Sequence, residues 1–431
     1  MAHPLDDPGK SFRGLFANRG EAEVMRGMTQ HLTTGERVAW YRHRRGLSQE
    51  VLAGLVGRTA DWLGKAENNR IELDRLSVIR ALAHALDVSM GDLIGEPTLV
   101  EWSKESGRGT LPALREALMD YRLLTPLIGA PADGEPPALD ALRSDVGEVW
   151  DAYQGSRYGF AARQLPLLLA DALLAVRAHS GTEREESNSL LALTYQGAAM
   201  VLGKLGENEL AWIAADRGLA AAQQSGNNVI TGSLFRSVTH CLLSTGRFET
   251  AVQLVNDAAG FLEPGLNDAT PAYLSVYGTL FLTGSMAAAR AEDRATTQAF
   301  LQEASTMAAR LGSDANHMWT AFGPTNVAIH RVATAGELGD MQVAAELGPT
   351  VDTSALPVER RVRHNLEVAR ALSAWNRTDD ALAMVLQAER IAPEQVRHHY
   401  MSRELVLGWV RGTRGRPTQS VADLADRLRV V

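Results

Sequence analysis

Apolar residues recur at helical spacing along almost the whole chain, and the places where that spacing breaks divide it into segments. Leu52, Leu55 and Val56 form one apolar face directly after Ser48, a good N-cap, and Gly57 follows where a left-handed turn residue is required. Thr59 then caps a second short helix running to about Glu67, and Ala53 is small where the two helices must approach. Helices expected over Glu36 to Arg45, Asp74 to Leu86 and Met90 to Ile94 complete a five-helix unit. The period returns from Leu99 to Leu127, with Leu111, Leu114, Leu118, Tyr121 and Leu124 on one face, until Pro131-Ala132-Asp133-Gly134-Glu135-Pro136-Pro137 breaks it.

From about residue 138 the pattern is helical to the end, rich in Ala and Leu, with no strand-like alternation. Turn clusters recur near Gly155, Leu205, Thr245, Ala291, Leu338, Asn376 and Gly412, roughly 36 to 50 residues apart, the period of helix-pair repeats. The expected fold class is all-α: a five-helix helix-turn-helix domain over 32–97, a helical linker and loop over 98–137, and an α-solenoid over 138–431. Residues 1–31 mix glycine, proline and charge without a sustained period and read as a flexible tail, with one short helix near Glu21 to Met28.

Two resemblances add to this reading. Gly35 through Arg45, Leu47-Ser48-Gln49-Glu50, Ala53, Gly57, Trp62-Leu63, Glu67-Asn68 and the run from Leu76 to Leu93 resemble the Cro/C1-type (XRE) repressor domain. The sequence departs from that pattern at Arg58, where an apolar residue is usual, and at Asp61 and Gly64. An acid facing phosphate is unfavourable and a mid-helix glycine costs about 1 kcal/mol. In the body, Arg363 to Pro393 sets small residues at Ala369, Ala381 and Ala388 beside Leu372 and Val385 and ends on Pro393, an order that resembles a tetratricopeptide repeat. Ala251, Val255 and Ala258 repeat its second helix, and Ala211 with Gly218 and Thr297 with Leu301 and Ala304 match more loosely. With Trp150 through Tyr158 and Trp319 through His330, the chain resembles actinobacterial regulators that join an XRE domain to a degenerate tetratricopeptide array. The resemblance implies a sequence-specific, homodimeric transcription regulator with double-stranded operator DNA as partner and a small-molecule or peptide effector in the solenoid.

Charge fits that division. The chain carries a formal −8, yet residues 32–80 hold nine Lys and Arg against six Asp and Glu, residues 1–31 balance, and the remaining 351 residues hold −11. A basic reader on an acidic body is the expected arrangement. The single Cys241 excludes an intramolecular disulfide framework and a multi-cysteine zinc site, and points to a reducing, cytoplasmic compartment. No stretch of about 18 apolar residues is found, the longest candidate, Leu165 to Val176, being interrupted by Asp171, so no membrane association is expected.

Candidate chemistry follows from residue type and position. For DNA, Gln49 and Thr59 lead, since an amide bonds phosphate or adenine and a hydroxyl at a helix N-terminus suits a phosphate oxygen. Ala60, Asp61 and Lys65 fall on the groove side, Asn68, Asn69 and Arg70 follow in the loop, and Arg42, Arg44 and Arg45 are expected to hold the DNA backbone. Two such readers in a dimer would span half-sites about 34 Å apart. Taking Ala251, Ala344 and Ala381 as equivalent second-helix positions places Arg236, His240, Asn326 and Arg363 on the inner face of the preceding helices, with Trp319, Phe322 and His330 close enough to line the same pocket. Against that, Trp319 and Phe322 suit packing between repeats, and Arg363 can pair with Glu359 or Glu367 at helical spacing. The sequence contains no P-loop, dinucleotide fingerprint, nucleophile elbow or zinc-helix motif, so no enzyme activity, cofactor or metal is expected. The alternatives for the body are an interaction scaffold that recruits a protein partner, and a dimerisation device without a ligand.

Overall fold

The computed structural model describes residues 32–73, 75–88, 90–94, 110–120, 135–412 and 416–430. The expected tail and its helix at Glu21 to Met28 lie outside these residues, as do Tyr121 and Leu124. The described chain is all-α, a helix-turn-helix-like region followed by a long run of helices stacked as in a solenoid.

The N-terminal unit comprises α1 (Thr34–Arg44), α2 (Gln49–Leu55), α3 (Ala60–Glu67), α4 (Leu76–Leu86) and α5 (Met90–Ile94). Its caps are local in origin. Thr33 and Glu36 form a capping box, Ser48 accepts from the Val51 amide and Thr59 from that of Trp62. Gly57 takes φ 65°, and the Arg58 amide returns to the Ala53 carbonyl at 2.8 Å, closing the turn between α2 and α3. α1 crosses α3 so closely that a Cβ on Gly35 would lie 2.1 Å from the Ala66 carbonyl oxygen.

The next described helix, α6 (Thr110–Met119), buries Leu111, Leu114 and Leu118 against the body. The body then alternates inner and outer helices: α7 (Leu139–Gln154) with α8 (Tyr158–Ala178), α9 (Gly181–Lys204) with α10 (Asn208–Ser225), α11 (Asn228–Ser244) with α12 (Phe248–Leu262), α13 (Pro271–Arg290) with α14 (Arg294–Leu311), α15 (Pro324–Glu337) with α16 (Met341–Leu347), and α17 (Val358–Ala374) with α18 (Thr378–Ile391). Three more helices, α19 (Pro393–His398), α20 (Tyr400–Gly412) and α21 (Gln419–Leu428), close the C-terminal end.

The six pairs share one turn. Ser156, Gly206, Gly246, Glu292, Gly339 and Asn376 all have φ between 56° and 86°. The next residue in each case donates its amide to the carbonyl five residues back, as Arg157 does to Ala152, Arg247 to Leu242 and Arg377 to Leu372, at 2.8 to 3.0 Å. Five residues beyond each left-handed position stands a small residue, Ala161, Ala211, Ala251, Thr297, Ala344 or Ala381, at most 1% exposed. Drifted repeats thus keep the turn and the small contact and vary elsewhere.

α8 is long and apolar enough to cross a membrane by length and composition alone, which the reading of the sequence did not allow for. In the structure it lies between α7 and α9 and buries Leu165, Leu168, Leu169, Ala172 and Ala175.

The inner helices form a closed ring, because α17 returns to touch α7. Ser156 donates to Gln395 at 2.6 Å, and Lys204 pairs with Glu359 at 2.5 Å across the same closure. The N-terminal unit docks on this body through a shared apolar cluster: Leu76, Ile79, Leu82 and Leu93 with Leu242, Leu243, Phe248 and Ala287. Polar contacts fix its angle. Arg37 and the Thr34 amide meet Glu404, Arg411 meets Glu36, Arg80 meets Glu249 and lies over the Phe248 ring, and Arg75 meets Glu292.

Candidate functional site

The reader face is built around a buried carboxylate. Glu67, at the end of α3, accepts from Arg42 Nε at 2.6 Å and Nη2 at 2.8 Å and from Gln49 Nε2 at 2.7 Å. Arg42 also donates to the Leu47 carbonyl, so one guanidinium ties α1, the following turn and α3 together. Gly64 belongs to the same construction: a Cβ there would approach the Gln49 amide oxygen to 3.3 Å, so the glycine leaves room for Gln49 to cross α3.

Around that core the expected DNA-contact residues separate. Thr59, Asp61, Lys65, Asn68 and Arg70 are exposed on or beside α3, and Ala60 is half-buried there. Asp61 and Lys65 pair at 2.7 Å, one turn apart, which offsets the acid's repulsion of phosphate. Asn68 Nδ2 caps the Gly64 carbonyl, while Asn69 holds the Thr33 hydroxyl at 2.6 Å in a left-handed position and serves the unit's interior. Arg42 and Gln49 are likewise engaged with Glu67. Arg44 lies over Trp40 and Arg45 reaches Asp87, both at the surface. Exposed Arg58, whose guanidinium lies over the Trp62 ring, adds a cation that sequence reasoning marked only as a departure from pattern.

The second site is a cavity of about 310 Å³ inside the ring. Each inner helix contributes to its wall: Tyr153, Lys204, His240, Arg290, His330 and Glu359 come from six different helices. The docked N-terminal unit contributes Leu76, Met90 and Ile94. His240, His330 and Arg363 therefore meet at one cavity. Arg236, 2% exposed, sits one turn from His240 on α11, within the field of Tyr153, Arg360 and Glu359.

Trp319, Phe322 and Asn326 are absent from that wall. Trp319 stacks on Trp150 with centroids 5.4 Å apart and donates to Asp151 at 3.2 Å. Phe322 is fully buried where Gly278 leaves its place, since a Cβ on that glycine would lie 2.0 Å from the ring. Asn326 donates to the Thr320 and Ala321 carbonyls and braces the loop that carries both aromatics. These three residues hold the fourth and fifth helix pairs to each other and to α7.

Burial and the cations set the electrostatics. Burial pushes His330 down to about 4, with Arg360 adding to the effect, and drives His240 well below the usual histidine range, helped by Arg236. His399 is lowered for the same reasons, burial first and Arg363 second. Burial alone would raise the Glu359 carboxyl, but Lys204, Arg360 and Arg363 together hold it well below the carboxylate range. Arg363 pairs with Glu367 at 2.7 Å, the pairing that its spacing allowed. Burial lifts the Cys241 thiol to about 12 and leaves it an inert wall residue. Among the described residues, no three His, Cys, Asp or Glu side chains converge on a metal position.

Sequence reasoning did not place Lys204, Arg360 or His399 at the cavity, and named Glu359 only as a pairing partner for Arg363. One signal was present: Glu359, Arg363 and Glu367 recur every four residues and so share a face of α17. Such a stripe usually faces solvent, and only the ring's closure turns it inward.

Residues 34–95 match the family model described as a helix-turn-helix domain. No curated protein matches the chain.

Proposed function

We propose that the chain is a ligand-responsive, sequence-specific DNA-binding regulator whose N-terminal unit, within residues 32–97, reads operator DNA with α3, and whose tetratricopeptide-like body, within 138–431, senses a small molecule. The match of residues 34–95 to a helix-turn-helix domain supports the DNA-binding half. The observation that carries the rest is the composition of the cavity wall. Leu76, Met90 and Ile94 of the reader face the same space as His240, His330 and Arg363 of the body. A ligand that fits one docking angle of the reader better than another shifts the population of angles, and with it the affinity for DNA.

A volume of about 310 Å³ favours a small molecule over an extended peptide, and a wall shared by all six inner helices and the N-terminal unit favours sensing over recruitment of a protein partner. An eight-residue recognition helix reads only a few base pairs, so the regulator acts as a homodimer on a two-fold related site in the cytoplasm.

Selection of bound sequences from a random DNA pool with the purified full chain tests the reader, and a palindromic consensus is expected. Failure to enrich any sequence at low salt overturns direct readout. Coupling is tested by Met90→Trp, which fills the cavity from the reader's side. Operator affinity should change about fivefold or more with the fold retained; an unchanged affinity removes the coupling.

A further inference from the structure

The cavity holds more positive charge than its carboxylates neutralise. Lys204, Arg290, Arg360 and Arg363 line it against Glu359 and Glu367. Extending the group to the buried charges in its ion-pair network and field adds Arg236 and Arg370 on one side and Glu337 on the other, six cations against three carboxylates. The other titratable groups of the wall leave this surplus in place. His240, His330, His364 and His399 all have lowered pKa and stay neutral, and burial raises Tyr153, Tyr158, Tyr400 and the Cys241 thiol, so none of these supplies an anion near neutral pH.

The donors are also unspent. Arg236 Nε and Nη2 and Arg290 Nε are buried without a hydrogen-bond partner, as is His240 Nε2, a donor in one of its two neutral tautomers; both Glu337 oxygens are unpartnered as well. Arg360 has Glu359 only at 3.7 Å, and Arg290 has Glu337 only at 3.6 Å, both longer than a hydrogen bond. A buried guanidinium does not shed its proton and, unpaired, is strongly unfavourable. A bound anion removes that cost, and Arg is the side chain that grips a carboxylate or phosphate through paired donors. Next to these charges the wall is apolar, with Met200, Leu243, Met286 and Ile329.

We infer that the cavity takes a small organic anion, its carboxylate or phosphate group held by Arg360 and His240 with Arg236 behind them and its apolar body laid against Met200, Met286 and Ile329. This rests on the sensing reading above and adds the sign of the charge and the size of the ligand.

Matched probes that differ in charge alone test it: benzoate, benzamide and benzamidine, the aliphatic set hexanoate, hexanamide and hexylamine, and phenyl phosphate to separate phosphate from carboxylate. In thermal melts of the full chain at constant ionic strength, the anions are expected to raise Tm saturably at millimolar concentration, whereas their neutral and cationic partners do not. Arg236→Met should abolish that rise. Without any probe, the same variant should melt at or above the wild-type temperature.

An anion effect that persists in Arg236→Met places binding elsewhere and overturns the inference. So does a fall of several degrees in the unliganded variant, because the guanidinium would then be part of the structure. No anion selectivity across the probes overturns it as well. If a neutral probe raises Tm and changes operator affinity, the sensing reading survives and the anionic ligand alone fails. If anions bind and operator affinity is unmoved, the reverse holds.

Discussion

The reader and the ring each bury a cluster of Arg and Glu, and the two clusters are finished to different degrees. In the reader, Glu67 meets Arg42 through both carboxylate oxygens and Gln49 through one, and the guanidinium spends a further donor on the Leu47 carbonyl. In the ring, six cations share three carboxylates, and Arg236 has no partner within hydrogen-bonding distance. A closed cluster fixes geometry, here the angle between α1, α2 and α3. An open one stores unfavourable charge that a bound molecule releases. Identical residue types thus carry structure in one place and, in the proposal above, the capacity to bind in the other, and the difference lies in the count of partners.

The largest expected effect separates the two clusters directly. Arg42→Met strands Glu67 as a buried charge and should destabilise the N-terminal unit by about 3–5 kcal/mol, read as lost amide-exchange protection across residues 34–94. The ring counterpart, Arg236→Met, is expected to cost nothing, and equal losses at both positions would erase the distinction.

Acid should sharpen it. Because folding depresses His240, His330 and His399, their contribution is fully present above the unfolded histidine pKa of about 6.5 and is lost as pH falls from there toward about 4, where His330 protonates in the fold. The loss is on the order of 3 kcal/mol at most for His330. Tm measured between pH 7 and pH 4 should fall, and His330→Gln should flatten the slope.

Docking between the regions is the next step down. Burial raises the Glu404 carboxyl although Arg37 and the Thr34 amide favour its charged form. Glu404→Gln weakens those charged hydrogen bonds and should cost the contact about 1.5–3 kcal/mol, seen as faster exchange at residues 34–37 with the ring unaffected. The smallest change in stability is expected from Arg58→Ala and Arg70→Ala, within about 0.5 kcal/mol. Each should still reduce the salt dependence of DNA binding by about one unit of log–log slope, and unchanged slopes would move the phosphate contacts elsewhere.

Much of the local structure was legible. Ser48, Gly57 and Thr59 marked the two short helices because caps and left-handed turns are set by one or two side chains. The repeats were legible at Ala251, Ala344 and Ala381, and less so at Thr297, where a hydroxyl replaces the methyl yet keeps the register. Among the ligand candidates, the Ala register led to His240, His330 and Arg363 on the cavity wall, while sequence proximity led to Trp319 and Phe322, which fill gaps between repeats. Nearness along a chain does not decide which side of a helix pair a side chain serves.

What the sequence determined by itself is local: the helices, their caps, the six left-handed turns and the small residues five positions beyond them. All of these follow from interactions within a few residues, where composition leaves little choice. Only the tertiary structure decided that α17 returns to α7, that the reader lends Leu76, Met90 and Ile94 to the wall of the resulting space, and that Glu359, Arg363 and Glu367 face inward. Those outcomes depend on small rotations accumulated over six helix pairs, and the balance of the enclosed charge exists only once the ring has closed.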